Sequence, residues 1–110
     1  SALFLMSSLG RWIMDLVGFP SEGSLCLLLT GGSAATLNAL TAARHRAADR
    51  AGWNLRAEGL QGGRARFVAY ASAESHSSIQ KCVEQLGIGT DNLRAIPVDD
   101  AFRLRPELLR

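Results

Sequence analysis

Lysine is nearly missing from this sequence of 110 residues: Lys81 stands alone against eleven arginines. Cysteine is scarce as well. Cys26 and Cys82 are too few for a disulfide framework or a metal site, and both stand in apolar surroundings where buried thiols are common. That usage fits a reducing, cytoplasmic setting. A dominant charge is also lacking, since the formal net charge is +2 and the arginines are scattered, which argues against a nucleic-acid surface. No apolar run suggests a membrane anchor: nothing basic precedes Ala2 to Met6, and Arg11 and Asp15 interrupt any longer span. Internal repeats and low-complexity tracts are absent. The remaining composition, 47% hydrophobic and 20% charged, is that of one small globular domain. The sequence opens without methionine and reaches Arg110 as a helix is starting, so both ends are expected to be cut from something longer.

The stretch from Leu27 to Leu40 organises the rest. An apolar run of strand type meets Gly31, Gly32 and Ser33, then a pattern of helical spacing. Paired glycines let the backbone turn tightly and approach a ligand without a Cβ in the way. Ser33 stands where a helix N-cap is expected. The N–H groups of a first helical turn, together with the positive end of the helix dipole, suit an anion such as a phosphate. By itself the same Gly-Gly-Ser pattern is also that of a plain turn.

Taken in order, Leu3, Met6, Leu9, Ile13, Leu16 and Val17 recur at steps of three and four, with Phe4 and Trp12 able to join them. This is the stripe of a core helix, ended by Gly18-Phe19-Pro20. Ser24 to Leu29 is an unbroken apolar run suited to a strand buried on both faces of a parallel sheet. Ser33 to about Arg50 reads as a helix with Leu37, Leu40, Ala43 and Ala47 inward, and with Arg44, His45 and Arg46 on a solvated face. Ala51 to Gly63 reads as a glycine-rich loop with a turn of helix around Leu55 to Glu58; Trp53 could enter the core or a partner subunit. Arg66 to Ala71 is a second strand and Ser77 to Leu86 a helix with Ile79, Val83 and Leu86 inward, closed by Gly87-Ile88-Gly89. Leu93 to Val98 is a third strand whose pairing Pro97 confines to its start, and Pro106 opens a last helix. Such alternation is the α/β class with a parallel sheet.

Two blocks go further. One runs from Thr30 to Leu37 and continues from Ala39 to Arg44. The other runs from Ala69 through Tyr70 and the His76-Ser77-Ser78 block to Lys81, and is followed by Ile96-Pro97-Val98-Asp99 and Phe102 to Leu109. In this order and spacing the chain resembles the pyridoxal-phosphate-dependent group II amino-acid decarboxylases, the aromatic-L-amino-acid branch most closely, from the tyrosine before His-Ser-Ser and the Ile-Pro segment after it.

The resemblance implies the large cofactor-binding domain of the type I aminotransferase fold, with residues 1–23 as an N-terminal helix and connection and 24–110 as part of that domain. It implies pyridoxal 5'-phosphate as cofactor, an amino acid as substrate, and a homodimer with no nucleic-acid or membrane partner. Gly32 and Ser33 match positions that hold the cofactor phosphate, while His76 matches the histidine that stacks on the pyridine ring and acts in catalysis. A lone histidine in a polar turn is otherwise a surface or capping residue. Ala34 departs from the pattern, standing where many relatives carry glutamate. Neither the lysine that binds the cofactor covalently nor the acid that protonates the ring nitrogen matches a residue here: Lys81 lies outward on its helix, and Asp99 and Asp100 lead away from the sheet. The chain alone is therefore expected to be inactive without the remainder of its polypeptide. Two alternatives stand beside this: a catalytically dead binding relative, and another enzyme of the same fold, of aminotransferase or desulfurase type.

Overall fold

The three-and-four spacing of apolar residues does produce a helix, α1, over Ala2–Val17. The computed structural model describes residues 2–61 and 66–109 and, within α1, side chains from Leu5 onward; the stripe residues Leu3 and Phe4 thus lie outside the described side chains. The helix stops where expected. Gly18 takes φ +71°, and the Phe19 N–H reaches back to the Met14 carbonyl at 2.8 Å, just before Pro20.

The core role of the stripe needs correction. Gly10 and Met14 are the buried positions, whereas Leu9, Trp12, Leu16 and Val17 are exposed. The inward side is chosen by what presses on it: a Cβ added at Gly10 would stand 2.9 Å from Cys26 Cβ. A contact that close needs a residue with no side chain, and the broader apolar face is left outside it. The run Ser24 to Leu29 is corrected too, for it forms no strand and leaves Leu25, Leu27, Leu28 and Leu29 exposed. A strand exists only through a ladder partner, and this segment has none among the described residues.

The chain divides into two compact units, residues 1–35 and 36–110; the division falls in the first turn of α2 (Gly32–Arg50). In the second unit the buried position of α2 is Ala48, while Ala43 and Ala47 are exposed. Its inner face is rotated from the expected one because Trp53 and Leu55 pack on Ala48, with Leu60 and Phe67 around them. Trp53 is only 2% exposed and stacks on Phe67 with ring centroids 5.4 Å apart, which places it in the core. The single helical turn α3 (Leu55–Glu58) is capped reciprocally. Asn54 Oδ1 accepts from the Ala57 N–H, and the Glu58 carboxylate accepts from the Asn54 N–H. The loop reading extends to Gly62 and Gly63, which lie outside the described residues.

Two parallel strands follow, β1 (Ala69–Ser72) and β2 (Leu93–Ile96), with Ala69 opposite Leu93 and Ser72 opposite Ile96. β1 begins three residues later than Arg66 because its partner begins at Leu93. β2 ends just before Pro97, which has no N–H for a ladder. The crossover between them is helix α4 (Ser78–Gln85), and Cys82, Val83 and Leu86 are buried along its face. Gly87 closes it at φ +74°, with the Ile88 N–H on the Val83 carbonyl at 3.0 Å. A side chain at Gly87 would also meet Leu60 Cδ1 at 2.8 Å. The last helix is a 3₁₀ turn, Pro106–Leu109, with the proline first as expected.

Candidate functional site

The start of α2 is made of backbone. Gly31 takes φ +147°, a conformation that side-chain-bearing residues rarely adopt. Its carbonyl accepts the Ala35 N–H at 3.0 Å, so Gly31 holds the cap position and Ser33 is the second helical residue. This corrects the reading of Ser33 as N-cap: glycine also serves there, and the Gly31 conformation brings the helix in one residue earlier. A helix start directs its first N–H groups outward along the axis. Here the approach is open, since a Cβ added at Gly32 would meet nothing within 4 Å. Such an end suits an anionic group.

The second candidate lies where β1 ends. In α/β folds the carboxyl ends of parallel strands are where ligands bind, and the turn Ala73 to Ser77 leaves β1 at that end. Its first residue is tied down by an Ala73 N–H bond to the Ile96 carbonyl at 2.8 Å. His76 closes the turn with an exposed side chain. Its Nδ1 accepts the Ser78 N–H at 3.1 Å and lies 3.0 Å from Ser78 Oγ; its carbonyl accepts the Ile79 N–H at 3.1 Å. A backbone N–H can only donate, so Nδ1 is an acceptor and the neutral ring carries its proton on Nε2. Ser77, at the α4 cap position, makes no side-chain capping bond; the imidazole of His76 takes that part. Beside it opens a cavity of about 150 Å³ lined by Ser72, Ser75, His76, Gln80, Leu93 and Ala95 among others.

Gly32 and Ser33 belong to the first unit and His76 to the second. Two other titratable groups are engaged locally. Asp99 accepts from the Ala101 and Arg103 N–H groups through Oδ1 and from Arg103 Nε through Oδ2, each at 2.9 Å. These donors, the Arg103 N–H foremost, hold its carboxyl below the usual aspartate range, and they commit it to its own loop. His45 Nε2 lies 3.3 Å from Asp49 Oδ2 one helical turn on, a surface pair. Lys81 is exposed on α4. No cluster of three metal-ligating side chains occurs among the described residues.

Sequence reasoning missed two residues. Arg44 is half-buried rather than solvated, and its Nη1 donates to the Leu86 carbonyl at the end of α4. The signal was its place one turn before Ala48 on the same face, and a cation suits a helix C-terminus. Ser78 is the other, as the anchor of the His76 ring; its signal was the two-residue step from histidine to serine at a helix start.

Residues 5–110 match the family described as the pyridoxal-dependent decarboxylase conserved domain. Histidine decarboxylase of Drosophila melanogaster is 36% identical over 111 aligned residues, 91% of this chain and 12% of that protein. The crystal structure of mouse CSAD superposes with a TM-score of 0.83 at 27% identity, over 96% of this chain and 21% of that one. That of Oryza sativa TDC with PLP gives 0.72 at 26% identity, over 94% and 23%. The chain therefore spans between 12% and 23% of the length of these relatives. The shared α/β arrangement is that of the type I aminotransferase fold, as the resemblance implied. With a match that runs through nearly every residue, this chain belongs to the pyridoxal-dependent decarboxylase family, whose cofactor is pyridoxal phosphate.

Proposed function

We propose that this chain works as part of a decarboxylase of aromatic L-amino acids, in which Gly32 and Ser33 hold the cofactor phosphate and His76 lies flat on the pyridine ring. When bound, pyridoxal phosphate supplies the electron sink that makes loss of an α-carboxylate feasible. The chain's own residues have three tasks. The start of α2 presents N–H groups to the phosphate dianion, with the unobstructed approach at Gly32 leaving room for it. The face of His76 fixes the tilt of a planar ring, and its Nε2–H is available to a substrate carboxylate or a protonation site. The turn before α4 keeps that imidazole in one orientation.

The observation that carries this reading is the His76 turn: an exposed imidazole, anchored at Nδ1, where the parallel strands end. The aromatic preference rests on Tyr70 before the His-Ser-Ser block and on Ile96-Pro97 after it. The same reading carries a cytoplasmic homodimer with residues 24–110 inside its large domain. It also makes the isolated chain inactive, since its only lysine, Lys81, matches no lysine that holds the cofactor in the family it resembles.

The test is carbon dioxide release by the full-length protein from tyrosine, tryptophan or their hydroxylated forms, against histidine, glutamate and cysteine sulfinate. Preference for tyrosine or tryptophan supports the reading, and preference for histidine or an acidic substrate overturns it. Turnover by the 110-residue chain alone, with added cofactor, would refute its inactivity. A complete polypeptide that binds no cofactor would favour the non-catalytic relative.

A further inference from the structure

We infer that Ser78 is a positioning residue for His76, fixing both the rotamer and the tautomer of the imidazole; this rests on the role proposed for His76. Ser78 is the first residue of α4 and offers two donors to one nitrogen. Its N–H lies 3.1 Å and its Oγ 3.0 Å from Nδ1. Because the N–H must donate, the hydroxyl can join it only by donating as well, so both bonds require an unprotonated Nδ1. A half-turn of the ring about Cβ–Cγ would put a carbon where Nδ1 stands and break both. The ring is thereby held to one face and the proton to Nε2, which has no hydrogen-bond partner among the described residues.

A capping role alone would not need this arrangement. Serine, threonine, aspartate and asparagine cap helices through flexible side chains. Here the cap is a planar ring, so the first turn of α4 and the orientation of the imidazole become one device. Ser78 is half-buried while His76 is exposed, so the anchor is sheltered and the working edge is open.

The full-length holoenzyme carrying Ser78→Ala should lose about tenfold in kcat, the upper end of what one hydrogen bond contributes, with KM and cofactor content within about twofold. Ser78→Thr should restore most of the loss, whereas Ser78→Val, of nearly the same shape but without the hydroxyl, should not. This pair keeps the test decisive if Ser78→Ala disturbs folding. In a His76→Ala background, Ser78→Ala should cost nothing further, because a residue acting through another has no effect once that one is gone. Full activity of Ser78→Ala and Ser78→Val, or a second tenfold loss in the double variant, would overturn the inference while leaving His76 in place. Unchanged turnover of His76→Ala would sink the underlying reading, and this inference with it.

Discussion

Helices α2 and α4 both begin at turns that face a ligand in the proposed reading, yet they begin in different ways. At α2 the cap is Gly31, at φ +147°, which has no side chain to offer and contributes only its carbonyl to Ala35. At α4 the first turn is held by an aromatic ring, the imidazole of His76 on the Ser78 N–H. The first is chemistry of the backbone, nearly independent of side-chain identity but intolerant of bulk. The second is chemistry of one side chain and depends on a single nitrogen. A phosphate can be gripped by any properly turned backbone, whereas a ring that stacks and moves a proton must be a particular residue in a particular orientation.

That contrast can be broken by substitution. The largest expected effect is at the side-chain turn. His76→Ala in the full-length protein should lower kcat by about a hundredfold or more, the range of acid–base and orienting groups, while most of the cofactor is retained. Steady-state kinetics with cofactor content read by absorbance checks both halves. At the backbone turn the pattern should reverse: Gly32→Leu or Ser33→Trp should weaken cofactor retention about tenfold or more by filling the open approach, measured as holoenzyme remaining after dialysis. Should His76→Ala strip the cofactor, or Gly32→Leu spare it, the division of labour would be wrong.

A smaller effect tests the far end of α4. Gly87→Ala places a Cβ at φ +74° against Leu60 Cδ1, 2.8 Å away, and should destabilise by about 1–2 kcal/mol. Urea unfolding checks it, and Gly32→Ala, with nothing within 4 Å, is the mild control at a helix start. The smallest effect is at the loop after β2. Asp99 has a depressed folded-state pKa, so its contribution is present above the unfolded aspartate value and is lost as pH falls through the folded one. Acidification below the ordinary aspartate range should therefore loosen residues 99–103. A drop in the amide protection factors of Ala101 and Arg103, with the β1–β2 ladder still protected, would show it.

Most of the second unit was legible in the residues. The spacing of Ile79, Val83 and Leu86, the glycine at 87 and the proline at 97 each carry their instruction locally, through periodicity, a positive φ or a missing N–H. The Gly-Gly-Ser turn was legible as a helix start, though not which residue caps it, because Gly31 and Ser33 are both competent caps and the backbone conformation decides between them. The run Ser24 to Leu29 misled for another reason. Its composition is that of a buried strand, but a strand is defined by its neighbour, and hydropathy alone names no neighbour. Arg44 misled through its charge: a guanidinium reads as solvent-facing until the carbonyl of Leu86 is brought to it from 42 residues away.

The sequence by itself determined the order of the helices, the points where they stop, and the residue blocks that mark the family, since all of these are encoded within a few neighbouring residues. Only the tertiary structure decided that Ala48 rather than Ala47 faces inward, that Trp53 belongs to the core, and that α1 turns Gly10 to Cys26 and leaves Leu16 outside. Those outcomes depend on which surfaces meet, and burial is a property of the pair of surfaces rather than of either stretch of chain alone.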